Sequence, residues 1–176
     1  MIRSVSLFAM KNLVFVAGLA LWILVASREL AAETYVWSGA SGVWSDSALW
    51  VPSTGVPGED DTAVVTGGTV EVVAGVTVGT LELGGGRLSG VGTLTVASSL
   101  DWSGGGSFHS APGASLLVPT HAELSDVTFT GGGEQRFTGG NLVLGGVCRS
   151  ESVTLAGVTL AGTHSLSGDW NWEGGA

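Results

Sequence analysis

The chain carries one cysteine, Cys148, in 176 residues, so no intrachain disulfide is available and stability has to come from packing and backbone hydrogen bonds. The expectation for Cys148 itself, just after Gly145-Gly146-Val147, is a buried, unreactive thiol. Basic residues are also scarce: six Lys and Arg stand against fifteen Asp and Glu, and no lysine follows Lys11. Phosphate binding needs clustered Lys and Arg to displace counterions, so nucleic acid is excluded as an expected partner, and anionic membrane surfaces fall for the same reason. The longest apolar run, Leu13 to Ala26, has 14 residues, short of the ~20 that a membrane-spanning helix needs.

Helical periodicity is absent from Thr62 onward, where no segment shows the i, i+3, i+4, i+7 apolar spacing of an amphipathic helix. Gly-x-Ser-x-Gly, Gly-x-Gly-x-x-Gly, Cys-x-x-Cys and His-Glu-x-x-His are all missing, which removes the common nucleophilic, phosphate-binding and zinc chemistries. His109, His121 and His164 lie far apart without paired ligands. The sequence therefore predicts no catalytic residue, no cofactor and no metal ligand. Glu59-Asp60-Asp61 offers hard oxygens of the kind calcium takes, but after Pro57-Gly58 the expected role is a polar turn.

What is present begins with Arg3 and Lys11, the apolar run, and then small and polar residues up to Ala32. That three-part layout is a secretory signal, with cleavage expected after Ala32 and Ser27 as the alternative, and Met10 as an alternative initiator to Met1. Removal of residues 1–32 leaves three arginines against fourteen carboxylates, a net charge of −11. The expected location is secreted or cell-surface, with membrane attachment only through an uncleaved signal.

The main chain pattern is a three-residue apolar-x-apolar unit: Val70-Glu-Val72, Val76-Thr-Val78, Leu81-Glu-Leu83, Leu94-Thr-Val96 and Leu100-Asp-Trp102. It returns at Val127-Thr-Phe129, Leu142-Val-Leu144, Val153-Thr-Leu155 and Val158-Thr-Leu160. Alternation turns one face inward and one outward, and Gly-rich triplets such as Gly84-Gly85-Gly86 and Gly104-Gly105-Gly106 supply corners between the strands. Spacing near six residues from Val64 to Leu100 puts three short strands into about 18 residues per coil, with longer and less regular coils downstream. An imperfect internal repeat joins Leu88-Ser-Gly90 through Trp102 to Leu160-Ala-Gly162 through Trp172, as stacked coils require. The expected fold class is all-β, a parallel β-solenoid: a right-handed β-helix first, a left-handed one second, an antiparallel sandwich third, preceded by a helical signal peptide. The expected organisation is a signal over 1–32, a Trp-rich N-terminal cap over 33–61 and a solenoid segment over 62–176, incomplete at its C-terminus.

Tyr35-Val-Trp37, Gly42-Val-Trp44-Ser-Asp46, Leu49-Trp50, Gly55-Val-Pro57-Gly58 and Asp60-Asp-Thr-Ala-Val64, followed by Gly75-Val-Thr-Val78 and the later units, resemble the N-terminal part of bacterial secreted parallel β-helix proteins. These include autotransporter-passenger and filamentous-haemagglutinin-like adhesins. The resemblance implies a cell-surface solenoid with an adhesive or scaffold role.

Two further readings compete with a non-catalytic exported structural or adhesive segment. One is a carbohydrate-binding module in which Trp37, Trp44, Trp50, Trp102 and Trp172 serve as stacking platforms for sugar rings. The other is a fragment of a β-helix polysaccharide-active enzyme, with Glu71, Glu82 and Asp101 outward on a common face and only Arg87, Arg136 and Arg149 as cations. Expected partners are carbohydrate or another surface protein. The final coil, ending in Asp169-Trp-Asn-Trp172, is expected to leave open ladder groups that invite end-to-end self-association.

Overall fold

A strand of three or four residues buries too little by itself to persist, and it becomes stable only when similar neighbours extend its ladder on both sides. The computed structural model, which describes residues 31–175, solves that problem by coiling. The expected helical signal over residues 1–32 lies outside the described residues up to residue 30. Beyond it, one 16-stranded sheet winds into a parallel β-solenoid of about 6 turns. In chain order the strands are β1 (Thr34–Trp37), β2 (Ser41–Val43), β3 (Trp50–Val51), β4 (Thr62–Val65), β5 (Thr69–Val72), β6 (Val76–Leu83), β7 (Arg87–Gly90) and β8 (Thr93–Trp102). They continue as β9 (Gly106–Ser110), β10 (Ser115–Val118), β11 (His121–Ser125), β12 (Val127–Thr130), β13 (Glu134–Phe137), β14 (Asn141–Leu155), β15 (Thr159–Ala161) and β16 (His164–Trp172).

Among the described residues every strand pairing but that of β1 with β3 is parallel, which removes the antiparallel sandwich. Three faces result. On the first, Tyr35, Ala63, Leu81, Leu100, Ala122, Leu142 and Leu160 are successive register partners. The second stacks Val70, Leu88, Phe108, Phe129 and Ser150. The third stacks Val76, Leu94, Leu116, Gln135, Val153 and Trp170. These inward rows form the core, and the inner residues expected from the apolar-x-apolar units are buried apart from Val76 and Leu160, which are half-buried. Burying a Leu, Val or Phe side chain stabilises by roughly 1.5–3 kcal/mol, so the core rows carry the fold.

Gln135 interrupts the third row. It is buried, and its Nε2 donates to the Gly133 carbonyl at 2.9 Å and to Ser110 Oγ, which meets the requirement that a buried amide donor be partnered.

Coil length follows the corners. Thr62 pairs with Thr80 and Thr69 with Arg87, so these two faces advance by the same step along the chain. The step lengthens where Thr93 pairs with Ser115 and shortens again where Asn141 pairs with Thr159, matching the expectation of less regular coils downstream. The internal repeat has an unexpected phase: Leu88 lies on the second face and Leu160 on the first. Likewise Trp102 lies on the first face and Trp172 on the third. The similarity therefore tracks the strand-and-corner unit, one face out of step, rather than the whole coil.

The segment over 33–61 is the first coil of the same sheet. It is markedly longer than the coil after it, since Thr34 has Thr62 as its partner whereas Thr62 has Thr80. The surplus forms a 3-10 turn at Ser47–Leu49, N-capped by the Asp46 carboxylate on the Ala48 amide, and the two-residue strand β3. β3 lies antiparallel along the outer edge of β1, with Trp37 opposite Trp50, and so ends the parallel ladder on that face.

Candidate functional site

The outward rows determine what the solenoid can offer a ligand. On the first face Val36, Val64, Glu82, Asp101, Glu123, Val143 and Ala161 are successive register partners. Neighbouring parallel strands lie ~4.7–4.9 Å apart, so Glu82, Asp101 and Glu123 form a carboxylate ladder at that pitch. Glu71, expected beside Glu82 and Asp101, is instead on the second face, in register with Val43 and Ser89. The separation has a simple cause: the chain from Glu71 to Glu82 is shorter than one coil, so the two residues lie on different sides of the same turn. Glu123 takes the vacant place because the longer coil after Asp101 brings it into register there.

Hydroxyls and imidazoles flank this ladder. Thr80 Oγ1 and Ser99 Oγ lie 3.4 Å apart one column away, and His121 Nε2 is 3.2 Å from Glu123 Oε1. A groove of about 300 Å³ opens at the adjacent corner, lined by Ser103, Glu123, Ser125, Val143, Gly145 and Thr163. On the second face His109 Nδ1 lies 3.0 Å from Thr130 Oγ1. Among the described residues no group of three His, Cys, Asp or Glu side chains converges closely enough to hold a metal ion. At Glu59-Asp60-Asp61, both Asp61 oxygens accept backbone amides, Oδ1 from Glu33 and Oδ2 from Gly58, each at 2.9 Å. That residue is spent on holding the turn.

The corner beside the groove is unusual. Asp126 has φ 55°, a left-handed conformation that costs a non-glycine residue about 1–3 kcal/mol unless compensated. Its Oδ1 accepts the Val147 amide of the next coil at 2.8 Å, so the side chain ties two coils at a backbone conformation that elsewhere among the described residues is taken by glycine. Cys148, one residue on, is buried, and burial raises its thiol above the usual range.

The five tryptophans proposed as stacking platforms divide sharply. Trp37, Trp44, Trp50 and Trp102 are all buried and present no ring face to solvent, so sugar stacking on them would require opening the core. Trp50 packs edge-on against Trp37 at 5.0 Å and Trp44 at 4.9 Å, and its Nε1 donates to the Trp44 carbonyl at 2.8 Å. Trp37 Nε1 donates to the Ala40 carbonyl and Trp102 Nε1 to the Gly105 carbonyl, three residues on in both cases. Each of these two indoles therefore pins its own corner, and the shared Trp-Ser-Gly at Trp37 and Trp102 is the sequence signal for it. Trp172 differs, with 43% of its surface exposed. Trp170 is half-buried, beside Phe129 at a ring separation of 6.5 Å.

Comparison with protein-family models, with curated proteins and with solved structures found no match to this chain.

Proposed function

We propose that this chain is a non-catalytic, exported structural or adhesive surface element, presenting its solenoid faces to the surroundings. The observation that carries the reading is the register of the first face, which lines up Glu82, Asp101 and Glu123 from coil to coil. A ladder of this kind presents evenly pitched charge on a stiff support, suited to many weak contacts with an extended polymer or a basic protein surface rather than to enclosing a small molecule. The export half of the reading rests on the basic, apolar and small-residue order of residues 1–32.

Beads coated with the purified chain test it by retention on immobilised polysaccharides and surface proteins. Retention is expected to fall at least ten-fold in the triple variant Glu82→Gln, Asp101→Asn, Glu123→Gln. Depolymerisation of any polysaccharide in the panel would overturn the non-catalytic reading, and equal retention of the two chains would remove the ladder from it.

Carbohydrate binding by ring stacking is the second reading, and the exposure of Trp172 favours it. Under this reading Trp172→Ala abolishes oligosaccharide binding while the ladder variant leaves it intact.

A further inference from the structure

The three arginines of the chain from Glu33 onward are in unequal circumstances. Arg136 bridges Glu134 and Glu173. Arg87 and Arg149 form no ion pair among the described residues, although fourteen carboxylates accompany them in that stretch. Both lie in one outward column of the second face, where Thr69, Arg87, Ser107, Thr128, Arg149 and Ser167 are successive register partners. No carboxylate enters that column, and each remaining position carries a hydroxyl, which both donates and accepts. The adjacent outward column holds Glu71, Ser89, His109 and Thr130. Its one carboxylate, Glu71, is on the rung beside Arg87 and far from Arg149.

At Arg149 this column borders a groove of about 260 Å³, lined by Thr128, Thr130, Arg149, Ser150, Glu151 and Ser167 among others. Pockets for drug-sized ligands run from ~300 to 1,000 Å³, so this one suits a single ring. Glu151 Oε2 accepts the Gly131 amide at 2.6 Å, so that carboxylate is held by the preceding coil rather than by Arg149. Here β14 carries one residue more than β16, a bulge between Ser150 and Val153, and bulges re-aim side chains and are over-represented beside functional sites. Ser150 supplies an independent pointer. It stands in the inward row after Val70, Leu88, Phe108 and Phe129, is 6% exposed, and has an Oγ with no hydrogen-bond partner. An unpartnered buried hydroxyl is rare in a native protein, and this one belongs to a residue of the groove.

We infer that this groove binds a sugar acid, a pyranose ring bearing one carboxylate. The planar Arg149 guanidinium takes the carboxylate through two parallel N–H···O bonds. The hydroxyls of Thr128, Thr130 and Ser167 meet the ring hydroxyls as donors or acceptors, and Glu151 Oε1 accepts from one more. Charge sets the ligand at a single carboxylate. The chain from Glu33 onward has a net charge of −11, and repulsion between exposed charges decays over ~8 Å at physiological salt. One carboxylate seated on Arg149 escapes most of that repulsion, whereas a polyanion laid along the solenoid does not. Phe129, the aromatic residue of the groove, is buried and offers no face for stacking, so recognition is polar and the affinity for one ring lies in the millimolar range. This inference goes beyond the surface reading above: it uses another face and none of the ladder residues.

Amide chemical shifts of the isotope-labelled chain, followed during titration with D-glucuronate, D-glucose and acetate, test the inference. D-Glucuronate should shift the amides of Thr128 to Thr130, Arg149 to Glu151 and Ser167, with glucose and acetate each binding about ten-fold more weakly or less. Arg149→Gln should lose about ten-fold or more in affinity for glucuronate while the rest of its spectrum matches the parent. The variant Glu82→Gln, Asp101→Asn, Glu123→Gln should bind glucuronate as the parent does. Absence of shifts at these amides overturns the proposal. Equal binding of glucose would remove the guanidinium from it, and equal binding of acetate would make the groove a bare anion site; either overturns it. Loss of glucuronate binding in the ladder variant would move the site to the first face and overturn it too, so failure here is distinct from failure of the ladder reading. The three probes on the unmodified chain decide the matter even if Arg149→Gln fails to fold.

Discussion

The first and the last described coils of this solenoid both carry tryptophans and enclose them to different degrees. At the N-terminal end three tryptophans interlock edge to face, and Trp50 has no exposed surface at all. In the last described coil Trp170 is half-buried and Trp172 is 43% exposed. The long first coil, which runs from Thr34 to its partner Thr62, lets β3 fold back along β1. The last coil, in which Asn141 pairs with Thr159 and Leu155 with Trp172, has no such surplus.

The comparison predicts unequal costs for equal truncations. Trp50→Ala should lower unfolding stability by about 3–5 kcal/mol, as for a fully buried aromatic. Trp172→Ala should cost about 1 kcal/mol because much of the ring is already in water. Urea unfolding of the two variants measures both, and equal losses would mean that the two coils are not different in kind.

Alkaline pH sharpens the contrast from the N-terminal side. The Tyr35 hydroxyl donates to Glu33 Oε2 at 2.9 Å, and this bond to a carboxylate, with burial, raises the phenol above its ordinary value. A raised pKa means that the stabilisation is fully present below the unfolded value of ~10 and is lost as pH rises through the folded one. Stability should therefore decline above pH ~10, and less steeply in Tyr35→Phe. The buried Cys148 thiol, raised in the same direction, adds a decline that Tyr35→Phe leaves in place. Thermal unfolding as a function of pH in the two chains separates the contributions.

The smallest effect belongs to the C-terminal side. Arg136 is partly exposed and bridges Glu134 and Glu173 at 3.5 and 2.9 Å. Exposed ion pairs contribute ~0.2–1 kcal/mol, so Arg136→Gln should barely change global unfolding. It should instead speed hydrogen exchange near Glu173, and a loss above that range would show that the last coil depends on this one contact.

Much of this architecture is legible in the sequence. Units such as Leu81-Glu-Leu83 announce which side chains point inward, because alternation along a strand is a property of three consecutive residues and survives any arrangement of the coils. Gly84-Gly85-Gly86 reads as a corner for a similarly local reason, since Gly85 and Gly86 take positive φ at no steric cost. The buried Gln135, in a unit without the apolar pattern, is not legible there, because its partner Ser110 meets it only across a coil.

The candidate site is less legible than the fold. The sequence by itself determined the short strands, their inward rows and the acidic excess, all of which follow from local pattern and composition. Only the tertiary structure decided that Glu123 rather than Glu71 joins Glu82 and Asp101, that four of the five candidate tryptophans are enclosed, and that β3 folds back along the outer edge of β1. Those outcomes depend on how much chain each corner consumes. Steps as unequal as Thr34 to Thr62 and Leu155 to Trp172 accumulate along the stack, and a difference of a few residues moves a side chain to another face.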